Sequence, residues 1–302
     1  MASPSERRPV ALVTGHKGFT GRYVAQALAS DGWRVEGLTI EASDGSQLAV
    51  DLLDRPGMAL AVDRIRPDAV VHLAAIAFVA HGDAEALYRT NVVGTRNLLE
   101  ALADVPRAPR SVVLASSANV YGNSQDDPIT ESTSPRPAND YAVSKLAMEH
   151  MARLWMDKLP IVVARPFNYT GVGQDANFLI PKIVAHFQHR EPVIELGNLQ
   201  VWRDFSDVRM VAEAYARLVA RAPSGAVVNI CSEHVHSLQD VIDLMEEIAG
   251  YRIDVRVNPD FVRAGEVARL AGSNRRLLDL VGPLSAPALS ETLRWMYEAA
   301  DA

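Results

Sequence analysis

The sequence predicts a doubly wound parallel α/β sheet with a smaller substrate-binding region interleaved toward the C-terminal side. Three observations carry that expectation. Short β-rich apolar runs alternate with helix-length amphipathic stretches through the first two-thirds of the chain, the first strand passes straight into a glycine-rich turn, and no internal repeat or low-complexity linker divides the 302 residues. A hydrophobic content of 48% is enough for one large core without a metal or disulfide staple.

In chain order, PVALV (9–13) is a continuous apolar run, the pattern of a strand covered on both faces. GFTGRYVAQALAS (18–30) follows as a helix and WRVEGL (33–38) as a second strand; a helix near Pro56 to Arg66 and the strand DAVVHLAA (68–75) complete a βαβαβ series. The alternation continues with a helix over Ala84 to Ala103, the strand SVVLA (111–115), a helix containing Tyr141 and the strand IVVA (161–164). Residues 1–165 are therefore assigned to a nucleotide-binding domain. After Arg165 the pattern loosens into helical stretches near Phe178 to His189, Asp207 to Ala222, Leu238 to Ala249 and Ser290 to Ala300, separated by short strands such as AVVNI and RIDVRV. Residues 166–302 are assigned mainly to substrate binding, with segments returning to the first domain.

Composition excludes several classes. A net charge of −7 argues against a general nucleic-acid surface, and no apolar run reaches the roughly 18 residues of a membrane span. The single cysteine, Cys231, excludes an intrachain disulfide, and the polar start MASPSERRPV lacks a signal peptide's apolar segment, so the expected location is cytoplasmic. His186 with His189 and His234 with His236 have no carboxylate or cysteine cluster beside them, so no metal is expected.

VTGHKGFTGRYV places Gly15, Gly18 and Gly21 at G-x-x-G-x-x-G spacing, directly after a strand and opening a helix. Glycines at this junction allow a tight turn, close backbone approach to a pyrophosphate and close packing of helix on sheet, while free N–H groups of the helix terminus face the phosphates. The loop, with Lys17, Phe19 and Thr20 between its glycines, is a candidate dinucleotide cradle. NAD readers place an acid about 20 residues on, at the end of the second strand. Here Leu38, Thr39 and Ile40 hold that place and Glu41 comes one step late; Lys17 and Arg22 would meet a 2′-phosphate with positive charge, so NADP(H) is favoured over NAD(H).

Tyr141 and Lys145 in DYAVSKLAMEH are one helical turn apart on one face. Bringing a phenol from pKa ~10 toward 7 takes about 4 kcal/mol of differential stabilisation of the phenolate, and a neighbouring cation can help supply it. The pair points to proton transfer accompanying hydride transfer.

The glycine loop, HLAA (72–75), TNVVGT around Asn91, SSANVYG, YAVSK and ARPFNYTGVGQ occur in this order, and with them the chain resembles the extended short-chain dehydrogenase/reductase family over nearly its full length. ARPFNYTGVGQ, WRDFSDV and RAGE look most like its nucleotide-sugar branch, in particular the reductases of GDP-linked 4-keto-6-deoxymannose. The resemblance implies a Rossmann-type domain and a catalytic set: Ser117, four residues before the VYG tyrosine, bonds the reacting oxygen, Tyr141 transfers the proton, and Lys145 lowers its pKa and holds the nicotinamide ribose. It further implies cofactor contacts from Asp51, Leu52, Leu73, Ala74, Ala75, Asn91 and Pro166. Asn168, Asn177, Arg203, Arg263 and Glu266 match positions that bind the sugar nucleotide. Paired arginines suit a diphosphate because planar forks bind its oxygens bidentately.

Departures from the family pattern narrow the reaction. Dehydratases carry acids where this chain has Ala118 and Asn119, and the epimerase-reductases of the branch carry a cysteine at the place of Asn119. Neither residue here can do acid or base work, which leaves ketone reduction or C4 epimerisation. A cofactor-sensing protein on the same fold ranks below both, because tyrosine and lysine are both present. Met210, where relatives often have Asp, is read as altered helix capping. A homodimer is expected: relatives pair the two helices corresponding to Ala84–Ala103 and the Tyr141 helix. Leu87, Val92, Leu98 and Leu99 in one and Leu146, Met148, Met151 and Leu154 in the other exceed a single apolar stripe.

Overall fold

The computed structural model describes residues 7–40, 48–77, 83–261 and 267–299. Strand β1 (Val10–Thr14) is buried throughout and leads into α1 (Phe19–Ser30), followed by β2 (Arg34–Thr39) and the two-residue β3 (Leu48–Ala49). Helix α2 (Arg55–Ile65) begins where the Asp54 carboxylate accepts the Gly57 N–H, with Pro56 in a first turn that needs no N–H, and ends where Arg66 turns left-handed at φ 48°. After β4 (Ala69–His72), α3 (Ala84–Tyr88) runs through a π-helical turn (Arg89–Gly94) into α4 (Thr95–Asp104), so the helix expected over Ala84 to Ala103 is present with one widened turn. Then come β5 (Val112–Ala115), a 3-10 turn (Ala118–Tyr121), α5 (Asp140–Arg153) and β6 (Ile161–Pro166).

The remaining elements are β7 (Asn168–Thr170), α6 (Leu179–Gln188), β8 (Val193–Leu196), β9 (Trp202–Asp207), α7 (Val208–Arg221), β10 (Val227–Ile230) and β11 (Val235–Ser237). They end with α8 (Leu238–Ala249), β12 (Asp254–Val257), β13 (Arg269–Leu270), α9 (Arg275–Val281) and α10 (Leu289–Glu298).

Seven strands form one parallel sheet in the order β10-β6-β5-β4-β1-β2-β3. The winding reverses between β1 and β4, which opens a crevice at their carboxyl ends. One face packs on α1, α7 and α9 through Val24, Leu28, Val211, Leu218 and Leu277; the other packs on α2, α4 and α5 through Met58, Val62, Leu98, Leu102 and Met148. The sheet and its first layer thus include α7 and β10, both from beyond Arg165. A third core around Ile183, Phe187, Val241 and Leu293 joins α6, α8 and α10, and β9 pairs with β7, β11 and β13.

Two expectations change. Met210 lies in the first turns of α7 as a buried core residue, and the cap is Asp207, whose carboxylate accepts the Arg209 N–H. Leu87, Leu98, Leu99 and Met148 are buried within the chain, so they are not surplus apolar surface; Val93, Val143 and Leu154 are the large apolar residues that stay exposed on these helices and at the end of α5.

A buried histidine ties the sheet to this helix. His72 Nδ1 lies 2.7 Å from Thr14 Oγ1 and Nε2 lies 2.9 Å from Thr95 Oγ1. Thr95 gives its single proton to the Asn91 carbonyl (2.7 Å), so Nε2–H donates to Thr95 and Nδ1 accepts from Thr14. The ring is neutral, and burial, reinforced by the Lys145 charge, pushes its pKa down to about 3. The unfolded imidazole binds a proton near 6.5, so unfolding takes up a proton between those values: this contribution is complete above pH 6.5 and is lost as pH falls toward 3. In His72→Gln, the loss of denaturation midpoint between pH 7 and pH 5 should be smaller than in the wild-type protein; equal losses would show that His72 is not the group taking up the proton.

Candidate active site

The glycine loop has the shape of a dinucleotide cradle. Gly15 sits at φ +69°, and a Cβ there would lie 2.9 Å from the Ala74 nitrogen, so the end of β4 presses against the loop. A Cβ on Gly21 would lie 2.2 Å from the Gly15 carbonyl oxygen, which makes that position a site of close helix-to-loop approach. Gly18 caps α1 without a side-chain bond, and no acid stands in the first turn, so its N–H groups suit an anion. Phe19 stacks on Tyr169 with centroids 6.0 Å apart, and Thr20 Oγ1 lies 2.7 Å from the Tyr169 hydroxyl. Leu73, Ala74 and Ala75 are half-buried at the carboxyl end of β4, and Lys17 is exposed at the loop tip. These residues fit a nicotinamide dinucleotide.

Other expected cofactor residues take different parts. The Arg22 guanidinium donates to the Gly173 carbonyl at 2.9 Å. Glu41 lies outside the described residues. Asp51 is exposed and its carboxylate accepts the Leu53 N–H (2.8 Å), while buried Leu52 packs against Gly94 of the π-helical turn. Asn91 spends its amide inside the protein, accepting from Ile76 N–H (3.0 Å) and donating to Ile76 O (3.2 Å) and Ser144 Oγ (3.0 Å). Ser144 in turn donates to the Tyr141 carbonyl (2.7 Å), so Asn91 braces the chain after β4 against the Tyr141 helix. Pro166 is buried at the end of β6.

Ser117, Tyr141 and Lys145 meet at the carboxyl ends of β5 and β6. Ser117, extended at φ −159°, precedes the 3-10 turn and accepts the Asn119 N–H at 3.2 Å. Its side chain bonds Tyr141. Helix α5 starts at Asn139, whose side chain accepts the Ala142 N–H, and this places Tyr141 in the first turn and Lys145 in the second. Lys145 Nζ donates to the Ala115 carbonyl (2.8 Å) and lies 6.0 Å from the Tyr141 ring centroid. Burial pushes the Tyr141 phenol above its ordinary value, Tyr169 adds to that, and the Ser117 bond opposes it. Burial pushes Lys145 down to about 8, with Glu149 opposing. The expected lowering of the phenol by Lys145 does not appear: desolvation dominates, only the Ser117 bond opposes it, and Tyr141 is held protonated, ready to act as an acid.

On the substrate side, Asn168 is exposed at the start of β7 and in register with Phe205, two residues along β9 from Arg203. Arg203 is half-buried and donates to the Trp202 and Ala268 carbonyls at 2.8 and 3.3 Å. Asn177 lines a cavity of about 520 Å³ with Lys182, His186, His189 and Glu191. Arg263 and Glu266 lie outside the described residues. Ala118 is buried and Asn119 half-buried, which leaves this turn without an acid. Sequence reasoning missed Tyr169, which touches the glycine loop, and Glu149, whose place four residues beyond Lys145 was the available signal.

The family model described as the NAD dependent epimerase/dehydratase family matches residues 11–231. The chain is 34% identical to the GDP-6-deoxy-D-talose 4-dehydrogenase of Aggregatibacter actinomycetemcomitans, over 90% of both chains. It is 33% identical to the GDP-6-deoxy-D-mannose reductase of Pseudomonas aeruginosa, over 94% of both. Among solved structures, a candidate epimerase from Burkholderia cenocepacia J2315 aligns with TM-score 0.91 at 51% identity, over 98% of both chains. RMD from Pseudomonas aeruginosa, complexed with NADPH, aligns with TM-score 0.84 at 31% identity, over 96% of both. With the glycine loop, the reversal in strand order and the Ser117–Tyr141–Lys145 set, these matches identify the chain as a member of the NAD dependent epimerase/dehydratase family, of the extended short-chain dehydrogenase/reductase type.

Proposed function

We propose that the protein reduces the C4 ketone of GDP-4-keto-6-deoxy-D-mannose to give GDP-D-rhamnose, with NADPH preferred over NADH. The observation that carries this reading is a buried Tyr141 bonded to Ser117 beside Lys145, next to a turn whose positions 118 and 119 hold no acid. The GDP-6-deoxy sugars named for the two relatives support the choice of substrate. The glycine loop, the first turn of α1, Leu73 to Ala75 and Lys145 would hold the nicotinamide cofactor, which supplies the hydride when bound.

Negative charge appears on the ketone oxygen as its carbon is reduced, so the chain's part is to neutralise that oxygen. Ser117 donates to it while Tyr141 passes it the phenolic proton. Lys145, fixed by the Ala115 carbonyl, stabilises the phenolate left behind. Ala118 and Asn119 supply no acid to expel a C6 hydroxyl, so dehydration of GDP-mannose lies outside the reaction.

The direct experiment supplies GDP-4-keto-6-deoxy-D-mannose from a separate dehydratase together with NADPH, and identifies the product by NMR. GDP-D-rhamnose with stoichiometric NADPH consumption is expected; the talo product would place the hydride on the opposite face with the same groups. An unchanged ketone and no NADPH consumption, together with interconversion of C4 epimers of a nucleotide sugar by protein carrying a co-purified cofactor, would overturn the reductase reading in favour of an epimerase. Tyr141→Phe removes only the hydroxyl and should lose about 10²–10⁴-fold in kcat while keeping its Tm.

Lys17, at the exposed tip of the loop, is the residue we assign to the 2′-phosphate. Lys17→Gln should raise the Kd for NADPH several-fold more than that for NADH; equal changes would make it a bystander.

The protein is proposed to act in the cytoplasm as a homodimer joined through α3–α4 and α5. Val93, Val143 and Leu154 are 46%, 38% and 80% exposed on these helices and at the end of α5, where a helix packed only on its sheet would present polar residues. Sedimentation at micromolar concentration should show a dimer that Leu154→Asp weakens; a wild-type monomer would refute the assembly and leave the catalytic assignment intact.

A further inference from the structure

We infer that the buried Glu149–Arg165 ion pair is a positioning device that fixes the Ser117 turn against the Tyr141–Lys145 helix. The inference rests on the catalytic reading above and assigns a task to two buried residues outside the Ser117–Tyr141–Lys145 set.

Tyr141, Lys145 and Glu149 are spaced i, i+4 and i+8 along α5, so Glu149 lies on the catalytic stripe one turn beyond the lysine. Its side chain is 1% exposed and that of Arg165, on β6, is 4% exposed. Every hydrogen bond of the carboxylate is directional: Oε1 accepts from Ser116 Oγ (2.5 Å) and Arg165 Nε (2.8 Å), and Oε2 accepts from the second guanidinium arm (2.5 Å). Arg165 also donates to the Tyr121 hydroxyl (2.9 Å) and lies 4.8 Å from that ring's centroid. The Tyr121 hydroxyl donates to Asn229 Oδ1 (2.7 Å) on β10, and the Asn229 N–H donates to Glu131 (2.7 Å).

The 3-10 turn that presents Ser117 is therefore gripped at both ends by one ion pair. Ser116, immediately before Ser117, is bonded to Glu149, and Tyr121, the last residue of the turn, is bonded to Arg165. Lys145 adds a third tie from α5 to the end of β5 through Ala115. Stability alone does not distinguish the pair, because two well-packed apolar side chains often stabilise a core as well as a buried ion pair does. What an apolar pair lacks is the set of bonds to Ser116 and Tyr121. A displacement near 1 Å in such a constellation can cost about 10²-fold in rate.

The test compares wild-type protein, Glu149→Gln and the double variant Glu149→Leu/Arg165→Met. The double variant leaves no buried charge unpaired, so it keeps the comparison decisive if the single variant folds poorly. Measurements are kcat and KM for the 4-keto sugar nucleotide, Tm, and the Lys145 titration by lysine 13Cε NMR, which is tractable in a chain with lysines only at Lys17, Lys145, Lys158 and Lys182. The charged and titratable groups around Lys145 are Tyr141 and Glu149 on α5 and His72 on β4, with Arg165 on β6 paired to Glu149.

The double variant should keep its Tm and a KM within about threefold of wild type while kcat falls on the order of 10²-fold. Glu149→Gln should move the Lys145 titration to lower pH, because the carboxylate opposes desolvation of the ammonium. Wild-type kcat in a folded double variant would overturn the proposal and leave the pair a matched charge in the core; so would an unmoved Lys145 titration in Glu149→Gln. If wild-type protein reduces no ketone yet its Lys145 titration moves in Glu149→Gln, the functional reading fails and the coupling of Glu149 to the lysine stands.

Discussion

Desolvation at the carboxyl ends of the central strands governs the ionisable groups of the site. It drives His72 to about 3 and Lys145 to about 8, and lifts Tyr121 to about 12 and Tyr141 well above a free phenol. Each shift favours the neutral form, as burial requires. Glu149 and Arg165 are bonded to each other in the same region, and it is through Glu149 that Lys145 recovers part of its affinity for a proton. The site is an acid with a cation poised near neutrality beside it, which suits proton delivery to an oxygen gaining charge.

The same region makes the two parts of the chain inseparable. Helix α1, which begins at the glycine loop, is bonded along one side to the segment after β6: Thr20 to Tyr169, the Tyr23 hydroxyl to the Val172 carbonyl, and Arg22 to the Gly173 carbonyl. Tyr23 and Trp295 of α10 meet edge to face with centroids 6.1 Å apart. A nucleotide loop braced in this way cannot shift without carrying β7 with it. Residues expected to hold substrate are thus referenced to those expected to hold cofactor through side chains and not through the sheet alone.

The parallel sheet was legible because a strand buried on both faces reads as an uninterrupted apolar run, and β1, β4, β5 and β6 all do. The C-terminal strands were less legible: β7, β11 and β13 are two or three residues long, too short for a period to appear. That α7 and β10 belong to the first sheet is a tertiary fact, since their amphipathicity gives a buried face without naming its partner. The Tyr141–Lys145 spacing placed the two side chains one turn apart on α5, but spacing carries no information on burial, and burial raises the phenol where a lowering was expected. Arg22 shows the same limit: a cation near a phosphate loop in sequence donates in space to the Gly173 carbonyl of the segment after β6.

The turn from Ser117 to Tyr121 shows how little chemistry separates branches of such a fold. Its outer positions are structural, one capping the turn and one anchored to Arg165, while its inner positions hold Ala118 and Asn119. A methyl group and an uncharged amide can shape a sugar pocket, and the amide can donate or accept a hydrogen bond, but neither exchanges a proton near neutral pH. In the proposed reaction the proton for the reacting oxygen then comes from Tyr141, and a single buried acid with one neighbouring hydroxyl can serve one oxygen at a time. On the reading proposed above such a site would interconvert a ketone and an alcohol, and an acid or base for eliminating a hydroxyl or inverting an adjacent carbon would have to come from one of those two inner positions, on a turn whose ends are already fixed by the ion pair beneath it.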